Sequence, residues 1–90
     1  MAELVHAFTT MVAAMDGRVY TAEAWGVLRD DGLWEGSLVF TPDDGGPRLT
    51  TARETTQSNF NALAYWAHGL EPVYLEGALA RARPEESSAA

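Results

Sequence analysis

The chain has no cysteine and no lysine. The first absence excludes a disulfide framework, a thiol nucleophile and a cysteine-ligated zinc. The second leaves six arginines scattered among thirteen acids, for a formal net charge of −7. Neutralising a phosphate backbone takes clustered positive charge. The composition therefore argues against nucleic acid as a partner, and against an anionic membrane surface. No apolar run approaches the ~20 residues of a membrane-spanning helix. The start, Met1-Ala2-Glu3-Leu4-Val5-His6, has an acid where a secretion signal carries positive charge. A cytoplasmic location is the default expectation.

Catalytic signatures are also lacking. There is no G-x-S-x-G elbow, and no G-x-G-x-x-G or phosphate loop. The two histidines, His6 and His68, have no metal-ligand spacing. His68 is explained by a helix C-terminus, and no metal or cofactor is expected. Acid pairs such as Asp43-Asp44 and Glu85-Glu86 fall in loop and tail, where solvation explains them. No nucleophile stands with a base and an orienting partner, so the reading favours a protein that is not an enzyme.

What is present is enough for a core. Of 90 residues, 47% are apolar, including three Trp, three Tyr and three Phe. That length suits one domain, here residues 1–84, with 85–90 as a disordered polar tail. Asp16-Gly17, Asp30-Asp31-Gly32 and Asp43-Asp44-Gly45-Gly46-Pro47 punctuate the first half as turns. Between them, Val19–Leu28 and Leu33–Thr41 have the length and composition of strands, and Arg48–Thr51 is a shorter third. The segment before them is two-sided. Leu4, Phe8, Met11, Val12 and Met15 sit at helical spacing. Val5, Phe8, Thr9, Thr10 and Val12 are good strand formers, and the reading favours a strand from about Val5 to Ala13.

The second half changes period. Phe60, Leu63, Ala64 and Ala67 mark one helical face, predicting a helix over 58–68, capped by Thr56 or Ser58. Gly69 followed by Leu70 predicts a left-handed Schellman end. Pro72 suits the first position of a second helix, with Leu75, Ala78, Leu79 and Ala82 at helical spacing. The rival reading makes Val73-Tyr74-Leu75 a strand. Gly77 allows close helix packing, and Gly36 marks a bulge or a close backbone approach.

Side chains alternate along strands. A three-residue Asp30-Asp31-Gly32 loop aligns Tyr20, Ala22, Ala24 and Leu28 with Trp34, Leu38 and Phe40 as the helix-covered face. Trp25, Val27, Leu33 and Val39 then lie opposite, joined by Phe8 and Val12. An apolar second face on so small a chain marks an interface, unless the second helix covers it or the register slips by one residue. The polar run Arg53-Glu54-Thr55-Thr56-Gln57-Ser58-Asn59 meets the start of the predicted helix, whose free N–H groups favour anions. Arg53, Thr55, Thr56, Gln57 and Asn59 are thus candidate ligand-binding residues. The capping-box pattern Thr51-Ala52-Arg53-Glu54 is discounted, because no apolar run follows it.

Several stretches carry a resemblance: Gly32-Leu33-Trp34-Glu35-Gly36, Arg53-Glu54-Thr55-Thr56-Gln57, and Tyr74-Leu75-Glu76-Gly77-Ala78-Leu79. With them the chain resembles a family of small bacterial proteins that brings no established activity, so the likeness assigns no site residue. In element order it is also similar to HicB-type antitoxin domains, or, were residues 3–15 helical, to a double-stranded-RNA-binding domain. The expected fold is α+β: an antiparallel three- to four-stranded meander followed by one or two C-terminal helices packed on one face. The expected function is a non-catalytic, homodimeric interaction module, with an anion- or small-molecule-binding protein or an antitoxin-like regulator as alternatives.

Overall fold

A computed structural model describes residues 2–85; the last five residues, which hold most of the expected tail, lie outside them. The elements run β1 (Ala2–Ala7), β2 (Val12–Ala13), β3 (Val19–Leu28), β4 (Trp34–Pro42), β5 (Leu49–Thr50), β6 (Thr55–Gln57), α1 (Phe60–His68), α2 (Pro72–Arg81) and β7 (Arg83–Pro84). All strand pairs are antiparallel, and the fold is α+β. The sheet has seven strands rather than three or four, in the order β1-β3-β4-β5-β7, with β2 also on β3 and β6 also on β4.

The larger strand count comes from two interruptions. The N-terminal strand breaks after Ala7, where Phe8 N–H still reaches the Ala22 carbonyl, and resumes as β2. Along β4, Val39 pairs with Thr50 but Gly36 pairs with Thr55, so two extra residues, Ala52 and Arg53, loop out between β5 and β6. Thr51 and Glu54 on either side donate backbone N–H to Leu38 and Gly36 and hold the loop's base on the sheet. The chain then ends its described course in a strand, not a helix, because β7 returns to pair with β5.

The central hairpin follows from alternation and its turn. Tyr20 pairs with Pro42, Ala22 with Phe40, Ala24 with Leu38, Gly26 with Gly36 and Leu28 with Trp34. Arg29 N–H bonds the Leu33 carbonyl, so Asp30-Asp31-Gly32 is the three-residue loop. Its Gly32 has φ +87°, a conformation that a side chain disfavours. In all three turns an aspartate accepts from the N–H two residues on: Asp16 from Arg18, Asp31 from Leu33 and Asp44 from Gly46. These side chains imitate a backbone turn and fix where each strand begins.

Both helices contribute to the same face. Ala22, Ala24, Leu38 and Phe40 from the sheet form one buried cluster with Ala67 of α1 and Leu75, Ala78 and Leu79 of α2. The outcome is a two-layer slab, 39 by 34 by 17 Å. Val12 and Phe8 belong to this covered side, not to the opposite one, because Val12 pairs with Tyr20. Asn59, rather than Thr56 or Ser58, caps α1 by accepting the Ala62 N–H at 2.8 Å. The expected left-handed end does not form: Gly69 has φ −88° and ψ −3°. Only Leu70 and Glu71 follow before Pro72, and a proline forces its predecessor to be extended; Glu71 is, at φ −100° and ψ 161°. A tight right-handed turn fits that short link.

Gly77 is not a packing residue either, since a Cβ there would meet nothing within 4 Å. It is an exposed glycine inside a helix. Gly77→Ala is therefore expected to stabilise the fold by about 0.5–1 kcal/mol, measured by urea unfolding. An unchanged or lower midpoint would mean that α2 needs the glycine.

Candidate functional site

The side of the sheet away from the helices is the first candidate. Trp25, Val27, Glu23, Glu35, Ser37 and Val39 alternate onto it, and Leu33 follows at the hairpin end. Register adds Ala2 opposite Val27 and Leu4 opposite Trp25. Leu4 is 48% exposed and Val27 41%. Trp25 and Leu33 are half-buried, while Val39 is buried. Val39 forms part of a shallow dip of about 300 Å³, walled by Trp25, Val27, Thr50 and Arg48. The surface thus presents Leu4, Val27 and the half-buried Trp25 more than Val39. Trp25 Nε1 donates to Glu23 Oε1 at 2.9 Å, which ties the indole to a polar neighbour on the same strand.

The polar run before α1 is distributed over three structures. Arg53 is exposed in the two-residue loop, and no ion pair of Arg53 occurs among the described residues. Thr55, Thr56 and Gln57 form β6 against β4, which the sequence reading missed. Gln57 Nε2 donates to Thr55 Oγ1 at 2.7 Å. Asn59 holds the helix cap.

The most tightly built polar cluster went unread in the sequence. Glu54, its side chain only 4% exposed, accepts from the Tyr74 hydroxyl at 2.5 Å and from two Arg81 nitrogens at 2.6 and 3.1 Å. Burial alone would raise the Glu54 pKa. The hydrogen bonds from Arg81 and Tyr74, with the arginine's charge, outweigh it and hold the carboxyl below its ordinary value. Burial, then the hydrogen bond to this carboxylate, raises the Tyr74 pKa. The cluster latches the β5–β6 connection to both ends of α2. Nothing in the Arg53–Asn59 run marks Glu54 as the buried member. Its only sequence signal is the helical spacing of Tyr74 and Arg81, which puts both on one side of α2.

The structure also joins the two histidines. The His6 and His68 rings lie 4.3 Å apart at 48°, and Phe8 meets His6 edge-on at 4.6 Å. The His6 pKa is lowered, first by burial and then by His68. The cause of the meeting is a β-bulge. Leu4 pairs with Trp25 but His6 with Ala24, so Val5 is an extra residue. Both Val5 and His6 consequently turn to the helix side, where Ala24 is fully buried and Val5 packs on the core.

A wider groove of about 860 Å³ runs between α2 and the β2–β3 turn, bordered by Met15, Tyr20, Leu49, Val73 and Leu79. It is mainly apolar, and of its acids Asp16 already accepts the Arg18 N–H. Among the described residues no group of three or more His, Cys, Asp or Glu is placed to hold a metal ion, and no helix is long and apolar enough to cross a membrane. Comparison with family models, curated proteins and solved structures gives no match to this chain.

Proposed function

We propose that this protein is a non-catalytic interaction module that works as a homodimer, two copies meeting on the helix-free side of the sheet. One observation carries the reading. Both helices take one side of a slab 17 Å thick, and Leu4 and Val27 remain 48% and 41% exposed on the other. Antiparallel sheets with one solvated side normally show polar residues there. A standard interface removes roughly 800 Å² from each partner. A slab face 39 by 34 Å has room for that. Glu23, Glu35 and Arg48 border the face, and Ser37 lies within it opposite Trp25.

Light scattering after gel filtration tests the reading. The expected result is twice the 9.8 kDa chain mass at micromolar concentration. Val27→Glu sits at an exposed position, so it is expected to leave the fold intact and give monomer. Trp25→Glu is expected to do the same, though its half-buried ring also touches stability. Each copy carries −7, so the copies repel over long range. Raising ionic strength from about 0.01 to 0.1 M shortens the screening length from ~30 to ~10 Å, and dimerisation is expected to tighten. A monomer throughout, or a dimer indifferent to Val27→Glu, rejects this reading.

A further inference from the structure

We propose that His6 and His68 form a two-imidazole site for a divalent transition ion of the zinc, nickel or copper class, independent of the association proposed above. The site joins strand β1 to the C-terminal end of α1, with water completing the coordination shell. Several observations support it.

The ring centres are 4.3 Å apart. Two imidazoles that ligate one ion at ~2.0–2.1 Å have their ring centres roughly 4.5–5 Å apart, close to the separation of these two rings. The β-bulge at Val5 aims His6 at α1 where regular pairing would have placed Val5 opposite Ala24. Bulges commonly re-aim side chains in this way. Phe8, packed edge-on against His6, limits the ring's freedom and so lowers the entropy lost on binding.

Electrostatics point the same way. His68 is the last residue of α1, at the negative end of the helix dipole. A cation is stabilised there, in a chain whose net charge is −7. His68 is exposed, so an ion has access from solvent. Imidazole selects zinc, copper and nickel over magnesium and calcium, which prefer oxygen.

The test is thermal unfolding of the whole chain with NiCl₂ or ZnCl₂ as the only added metal. An ion at tenfold excess over its Kd is expected to raise Tm by roughly 6–10 °C, reversed by EDTA. His68→Ala, at an exposed position, is expected to abolish the rise, and His6→Gln likewise. Should His6→Gln unfold, proton NMR of the wild-type chain gives the same answer. Substoichiometric Cu²⁺ is expected to broaden both imidazole resonances before any other side chain. A rise that survives His68→Ala, or that MgCl₂ matches, assigns the ion to surface carboxylates and overturns the proposal. So does the absence of any shift at millimolar metal.

Discussion

Gly26→Val is expected to destabilise the protein by about 2–3 kcal/mol, a fall in Tm of roughly 10–20 °C for a domain of this size. Gly26 and Gly36 pair across the central hairpin, and the fully buried Leu63 of α1 lies over both. A Cβ on Gly26 would stand 2.5 Å from Leu63 Cδ2, and one on Gly36 would stand 2.7 Å from Leu63 Cδ1. Each methyl therefore occupies the space above one glycine. Leu63 cannot swing off one without pressing on the other, and Val5, Trp34, Thr55 and Trp66 close the surroundings. Gly36→Val is expected to behave alike. Leu63→Ala removes the wedge and leaves a cavity, costing about 2–5 kcal/mol. Combining Gly26→Ala with Leu63→Ala is expected to cost less than the two single changes together, because the new methyl fills part of the space. Chemical denaturation of the four proteins measures this. Strict additivity would show that α1 is not seated on the glycines.

Glu54→Leu is expected to cost about 1–3 kcal/mol, since the half-buried Tyr74 hydroxyl loses its acceptor and the buried end of the latch loses its charge. The larger signature is in the pH dependence. The folded-state pKa of Glu54 lies below its ordinary value of 4.5. Its contribution is therefore complete above that value and fades as pH falls through the depressed folded pKa. The wild-type Tm is expected to drop on acidification from about pH 5 to pH 3 more steeply than that of Glu54→Gln, whose amide does not titrate in that window. Parallel curves would show that Glu54 is held no more tightly folded than unfolded. Tyr74→Phe keeps the arginine pair and is expected to retain part of the slope.

The sequence was most readable where one short-range rule acted alone. Alternation from Tyr20 to Leu28 and from Trp34 to Phe40, with an Asp-Asp-Gly loop between, determined the register and the covered face. The glycine of Trp34-Glu35-Gly36 indicated a bulge or a close backbone approach, and α1 makes the approach over Gly26 and Gly36. Pro72 marked the start of α2. The misses lie where partners distant in the chain decide. Three-residue β6 has no periodicity of its own, and it is a strand because β4 offers an unpaired edge beyond the Ala52-Arg53 loop. The bulge at Val5 is invisible without β3 to measure it against, so Phe8 and Val12 were assigned to the wrong side. Glu54 sits in a run of polar residues that all look solvated. Its burial depends on α2 arriving twenty residues later.

Strand β7 has a consequence for synthesis. β5 gains its outer neighbour only when Arg83 and Pro84 have been translated, after both helices. A chain shortened just before that point would keep the hairpin and both helices, yet would carry a bare β5 rim, the kind of unpaired edge that invites sticking to other chains. The two residues of β7 thus cover the outer side of β5, and chains shortened before residue 83 should be the ones that clump in the cell.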